Sequence, residues 1–317
     1  MKTNVRTCRL PGSGACRAAI AAGFAIVVGG VFVVVGCSKS SPSAPQNAAK
    51  VENKEPRYPL TGEILRVDQE RKVLVVKHEE IKGFMPAMTM EFLASAGDLA
   101  LAQPGQKIRA EMVSGAENEY RLENIWPNDV TSKSTVAAGA NQLRQDTHTR
   151  GKNAYREIGE TVPDFALYDQ SGRVVQSARF RGKQLMLNFI FTRCPLANMC
   201  PAATLKMIDV QKGAREARVK NLELISISLD PTFDTPGVLR SYADAYGIDT
   251  ANFSFLTGPE SAVKDLLTQF GLIAEFEGDM LKHNLVTLLI DEKGAIAHRA
   301  DGTQWEPADF VAKMKRR

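Results

Sequence analysis

Two hydrophobic patterns divide the chain. Between residues 58 and 128, the short segments LTGEILRVD, KVLVVKH, MTMEF, KIRAEMV and YRLENIW are separated by turn residues, and none has convincing helical length. Five short strands predict a small all-β domain, a closed barrel of OB type. From 159 to 317 the pattern changes. QLMLNFIF and LELISISLD are continuous apolar runs, as expected of strands buried on both faces. Helical segments AATLKMIDVQKGAREARVK, TPGVLRSYADAYG and PESAVKDLLTQFG alternate with these runs and with FSFLTG. A hairpin, LVTLLIDEKGAIAHRADG, and a last helix, EPADFVAKMKRR, close the chain. This alternation predicts an α/β domain of thioredoxin type.

Polar stretches flank the two domains. Residues 38–57 are rich in Ser, Pro, Ala and Lys and read as a flexible tether. Residues 131–158 have few large apolar side chains and no strong period, and read as a flexible interdomain linker. Residues 1–37 read as an export signal: Lys2, Arg6, Arg9 and Arg17 with no acid, then uncharged AAIAAGFAIVVGGVFVVV, then Gly36-Cys37. Aliphatic and small residues before a cysteine resemble a bacterial lipobox, with Cys37 as the lipidated residue. The alternative is a single N-terminal transmembrane helix, since the 18 residues from Ala18 to Val35 can just span a bilayer. Both readings put the globular part outside the cytoplasm, on the periplasmic side of a bacterial membrane.

The formal net charge of +4 over 317 residues lies largely at the two ends, so a nucleic-acid surface is not implied. No phosphate-binding glycine loop or Ser/His/Asp set is visible. His148 in the linker and His298 in the hairpin have no partner in the sequence. Trp126 and Trp305 read as packing residues.

Of five cysteines, Cys8, Cys16 and Cys37 fall in the signal segment. The exported part keeps Cys194 and Cys200, in FIFTRCPLANMCP. A disulfide here would close a very short loop and constrain little chain entropy, so a purely structural role is the weaker explanation. The pair lies between a buried strand and its helix. Pro201 suits a first helical turn, which puts Cys200 at the N-cap, where a helix terminus lowers thiol pKa values. His283, in MLKHNLVTLLID, stands just before another buried strand, where a thioredoxin carries a cis-proline. Two thiolates and an imidazole suit copper. Thiol–disulfide exchange by Cys194 and Cys200 is the competing chemistry.

FIFTRCP…CP, ISISLDPTFDTPGVLRSYADAYG and HNLVTLLIDEKGAI together resemble the Sco/SenC copper-chaperone family, over about residues 159–317. The resemblance implies copper binding by Cys194, Cys200 and His283, as Cu(I) with Cu(II) also open. It further implies delivery of copper to a cytochrome c oxidase subunit or another copper-accepting protein, or reduction of its cysteines beforehand. One departure is the spacing: the family pair is Cys-x-x-x-Cys, and here five residues intervene. Met199 in that loop reads as facing solvent, with an extra soft ligand as the alternative. Asp230 and Asp234 match the family's acidic pair. Asp234 reads as a helix cap, and Asp230 as a carboxylate that orders His283 or meets a partner.

KHEEIKGFMPAMTMEF offers a second soft-metal set. Met88 and Met90 alternate, so a strand points both sulfurs to one face. Methionines in a barrel usually pack the core, but three lie within six residues here, closely preceded by a histidine. The segment resembles the small periplasmic Cu(I)/Ag(I) carriers of the CusF type over about residues 58–128, which implies His78, Met88 and Met90 as ligands. Met85 stands where those carriers place a tryptophan over the metal. It is a candidate further ligand, with Phe84 a candidate lid. The function expected is a membrane-tethered copper chaperone, not an enzyme in the turnover sense. A thiol–disulfide oxidoreductase and a periplasmic copper buffer or resistance protein are the alternatives.

Overall fold

The computed structural model describes residues 55–115, 119–151, 154–278 and 280–314. The expected signal segment with Cys8, Cys16 and Cys37, and most of the tether, lie outside the described residues.

The first domain is a closed five-stranded barrel. β1 (Arg57–Asp68), β2 (Val73–His78), β3 (Met88–Leu93), β4 (Lys107–Ser114) and β5 (Tyr120–Pro127) run in the order β1-β2-β3-β5-β4. Alternation supplies its core: Leu60, Ile64, Leu74, Val76, Phe92, Ile108, Met112 and Leu122 are buried together. One element was not expected. A short helix, α1 (Ala96–Leu101), lies between β3 and β4, and Ser95 caps it by accepting from the Asp98 N–H at 3.1 Å. Ser-x-x-Asp is a capping signal that outweighed the segment's short length.

The second domain is a seven-stranded sheet between helices. Its strands are β6 (Ala166–Asp169), β7 (Val174–Gln176), β8 (Gln184–Ile190), β9 (Leu222–Ser228), β10 (Phe253–Thr257), β13 (Val286–Ile290) and β14 (Ile296–Asp301), in the order β14-β13-β8-β9-β10-β6-β7. β8, β9 and β10 are parallel, and every residue of each is buried. That is why their sequences read as unbroken apolar runs. The helices are α3 (Cys200–Glu216), α4 (Pro236–Ala245), α5 (Glu260–Phe270) and α6 (Pro307–Lys313). α5 ends where the sequence supplies Gly271, at φ 72°, the left-handed cap that a residue with a Cβ resists. A separate two-stranded hairpin, β11 (Ala274–Glu277) with β12 (Met280–His283), stands apart from the main sheet. The strand alternation expected for a thioredoxin-type domain is present. The β6–β7 and β11–β12 hairpins were not foreseen.

The connector corrects an expectation. Most of the stretch 131–158 is an α-helix, α2 (Val130–Arg150), not a flexible coil. Asp129 caps it by accepting from the Ser132 N–H at 2.7 Å. Its only deeply buried side chains are Val136 and Leu143, seven residues apart on one face, so no broad apolar stripe advertised it. α2 packs on α5 and β6. There Asp146 accepts from both Arg156 and Gln269, and Arg156 Nε donates to Gln269 Oε1 at 2.7 Å. His148 lies in its last turn.

The barrel is docked on the second domain. α1 lies against α4, with Gly97 and Gly237 at the crossing. A Cβ on Gly97 would run into the Gly237 carbonyl, and one on Gly237 would run into the Asp98 carboxylate. Backbones approach this closely only where both residues lack a side chain. Trp126 of β5 packs edge-on to Tyr168 of β6, 5.9 Å between ring centroids, with Val136 of α2 beside them. Trp305 packs on Phe310. Both tryptophans are packing residues, as expected.

Candidate metal centres

The chain from β8 to α3 builds the first centre. β8 ends at Ile190, and Thr192 is then fixed by Asp234, which accepts from both its N–H and its hydroxyl. Asp234 also accepts from Ser228 Oγ at 2.6 Å and is sealed from solvent. Burial pushes its carboxyl up to about 6, against those hydrogen bonds. Asp234 is therefore not the cap of α4. Thr235 is that cap, with Pro236 in the first turn. The cap signal was read one residue early, and the carboxylate turned inward to hold the start of the cysteine loop.

Cys194 and Cys200 are both free thiols; Cys194 is partly exposed and Cys200 buried. Cys200 is the first residue of α3 and Met199 its N-cap, one position from expectation. Met199 does not face solvent: it is partly buried against the core. His283 ends β12 instead of lying in a loop, and its Nε2 is 3.6 Å from Cys200 Sγ. The ligand atoms of Cys194, Cys200 and His283 all lie within 4.8 Å of one another. The imidazole is oriented for this. Nδ1 is 3.0 Å from the Asn284 carbonyl, which can only accept, so Nδ1 carries the proton and Nε2 presents its lone pair to the sulfurs. The edge of Phe191 supports the ring at 5.4 Å.

Electrostatics here depart from the sequence reading. The helix terminus does not win: burial raises the Cys200 thiol far above its ordinary range, and the nearby Cys194 adds to this. Burial also lowers the His283 pKa, against the hydrogen bond to Asn284. The resting centre thus holds a neutral thiol at Cys200 and a neutral imidazole. A cation that takes this site displaces the Cys200 proton.

Asp230 is buried and does not touch His283. It accepts from Arg193 Nε at 2.7 Å and from Thr232 Oγ1 at 3.0 Å, and its N–H donates to Ser228 Oγ at 2.9 Å. Nothing local in the sequence marks Arg193, because its partners Asp230, Phe233 and Phe276 are scattered along it.

The second centre lies at one end of the barrel. His78 stands directly opposite Met88 in the β2–β3 register, and Val76 opposite Met90. Opposed residues project to one face, and here that face is the barrel interior. Met90 and Met85 are partly buried against the core, whereas Met88 is 46% exposed at the mouth. His78 Nδ1 is 2.7 Å from the Glu79 carbonyl, while its buried Nε2 has no hydrogen-bond partner among the described residues. An orphaned buried nitrogen is costly unless something occupies it. The donor types here, an imidazole nitrogen and thioether sulfurs, fit a soft cation. Phe84 packs against Tyr58 at 4.3 Å and Tyr120 at 6.0 Å, so its ring belongs to an aromatic cluster beside the mouth.

A thioredoxin-type domain that gathers two cysteines and a histidine, preceded by a barrel that sets His78 opposite Met88, places the chain among soft-metal-binding proteins. The SCO1/SenC family matches residues 153–317, and the chain belongs to that family. The family described as copper binding periplasmic protein CusF matches residues 57–127. The SCO2-like protein RC0895 of Rickettsia conorii is 32% identical over 149 residues, covering 45% of this chain and 70% of that one. The SCO1 protein homolog of Bacillus subtilis is 30% identical over 165 residues, covering 51% and 84%. A solved SCO1/SenC family lipoprotein from Bacillus anthracis is 25% identical, with a TM-score of 0.47 over 51% of this chain and 97% of that one.

Proposed function

We propose that this protein is an exported, membrane-anchored copper chaperone that binds copper at Cys194/Cys200/His283 and passes it to a partner. The observation that carries the reading is the convergence of three ligand atoms within 4.8 Å, with the imidazole held in the tautomer that can ligate. Two thiolates and an imidazole are a donor set for copper, and membership of the SCO1/SenC family supports the same metal. The recipient is the copper centre of a cytochrome c oxidase, in keeping with that family. His78, Met88 and Met90, with Met85, hold a second Cu(I), supported by the orphaned His78 Nε2. Anchoring is through lipid on Cys37 or an N-terminal helix, on the periplasmic side.

The test is metal stoichiometry. The reduced full chain should bind two Cu(I), and Cys200→Ser should remove one. A single copper in the unmutated chain, or two in the variant, overturns the two-centre reading.

The unequal exposure of the sulfurs favours one second reading. An accessible Cys194 beside a buried Cys200 is the arrangement of an attacking and a resolving thiol, and suits a thiol–disulfide oxidoreductase acting on partner cysteines. Catalytic reduction of insulin disulfides by the metal-free chain would favour it over metal transfer.

A further inference from the structure

The hairpin that carries His283 is weakly founded. Among the described residues β11 and β12 pair only with each other, and an isolated two-stranded hairpin is marginal in water. At its base, Asn284 ties it down by accepting from the Ile273 N–H at 2.8 Å and donating to the Gly271 carbonyl at 3.1 Å. Leu281 is buried beneath it. Its outer strand, β11, is mostly exposed, and Phe276 is 50% exposed.

Arg193 reaches this strand from the cysteine loop. Its guanidinium carbon lies 4.7 Å from the centroid of Phe233 and 5.5 Å from that of Phe276. Its Nε donates to Asp230, itself fixed by Thr232 and Ser228. One planar cation thus joins three segments: the loop holding Cys194, the turn after β9, and the hairpin holding His283. Guanidinium stacking of this kind is directional, and an ammonium reproduces it only in part.

We infer that Arg193 is a positioning residue for the thiolate centre, a clasp that holds the His283 hairpin over Cys194 and Cys200 through Phe276. Opening the clasp lets β11–β12 swing, withdraws the imidazole and leaves a two-sulfur site from which metal departs more easily. The inference rests on the metal reading of this centre, but the clasp itself is a property of the metal-free chain.

The experiment uses the full chain in four forms: unmutated, Arg193→Ala, Arg193→Lys and Phe276→Ala, with the Arg193→Ala/Phe276→Ala double variant completing a cycle. Phe276 is half exposed, so its variant keeps the fold, and it leaves the Arg193–Asp230 pair intact. Two readouts are taken. Amide hydrogen exchange of β11–β12 is measured without metal. Cu(I) affinity is measured by chelator competition, in a background where Met88→Ile and Met90→Ile silence the barrel. Arg193→Ala and Phe276→Ala should each speed hairpin exchange and weaken Cu(I) binding by about fivefold to tenfold. Arg193→Lys should recover part of both, and the double variant should fall short of the product of the single effects. Unchanged exchange and affinity in Phe276→Ala, or independent effects in the double variant, overturn the clasp. If the unmutated chain binds no Cu(I) at the cysteines, the metal reading fails, and hairpin exchange still decides the clasp.

Discussion

His78 and Met88 face each other across the β2–β3 pair, the imidazole sealed inside the barrel and the thioether at its rim. The nitrogen of His78 that points away from Glu79 has no partner among the described residues. In the metal-free chain this is a defect worth about 1–3 kcal/mol. Replacing His78 by Leu should therefore leave the metal-free barrel as stable or more so, while abolishing the rise in melting temperature on adding Cu(I) or Ag(I). Thermal melts with and without metal read both effects. A His78→Leu barrel that still gains stability from Ag(I) removes His78 from the ligand set.

Copper uptake at the thiolate centre should release protons. Burial keeps Cys200 protonated well above neutral pH, whereas His283, its pKa lowered, has none to give at pH 7. Apparent Cu(I) affinity should then rise with pH through the neutral range, by roughly tenfold per unit for each proton displaced. A pH-stat titration of the reduced chain with Cu(I) counts them. Flat affinity between pH 6 and 8 would exclude Cys200 as a thiolate ligand.

Asp98 should make the docked protein more stable in mild acid. Its carboxyl is pushed up to about 6 by burial against α4, partly offset by the Ser95 hydroxyl. The unfolded chain ionises this group near 4. Between those values the folded state holds a proton that the unfolded state has lost, so stability falls as pH rises through the window. Two pKa units cost about 3 kcal/mol by neutral pH. Asp98→Asn, which keeps an acceptor for Ser95, should flatten the slope between pH 4 and 6 and raise stability at pH 7. Urea titrations at several pH values measure it, and an unaltered slope would refute the assignment. Asp234 contributes a slope of the same sign.

Gly237→Ala should undock the barrel. The added methyl collides with the Asp98 carboxylate, and overpacking of this kind costs about 1–3 kcal/mol. Calorimetry should resolve two transitions in the variant and one in the unmutated chain, and exchange should rise in α1 and α4. A single unshifted transition would mean that the crossing tolerates a side chain.

Most of the fold was legible because alternation and apolar runs carry it. The strands of the barrel, and QLMLNFI and LELISIS, announce their burial in composition alone. α2 was not legible: with Val136 and Leu143 as its deeply buried contacts, it is held by the Asp129 cap, by helix-forming residues and by the distant Gln269. The fold brings Cys194, Cys200 and His283 together, and the candidate ligands of both centres could be named from residue type, spacing and family resemblance. Their supports could not. Thr192 meets Asp234 over forty-two positions, and Arg193 meets Asp230 over thirty-seven. Only the folded chain brings them together. The helix-dipole argument for Cys200 failed for a related reason, because desolvation depends on neighbours that the sequence does not display.

The connector α2 bears on the order in which the molecule is assembled. The barrel closes with pairings drawn from residues 57 to 127, all of which precede α2. The surfaces that α2 occupies come later: β6 pairs with β10, and α5 begins at Glu260, more than a hundred residues after Asp129. Local contacts form early, and those between distant segments wait on loop closure. Until β6 and α5 are present, α2 has the Trp126 contact to Val136 from the barrel side, and a helix on its own is of marginal stability in water. Loop closure thus favours the barrel's own pairings over the Gly97–Gly237 crossing, which joins segments far apart in the chain.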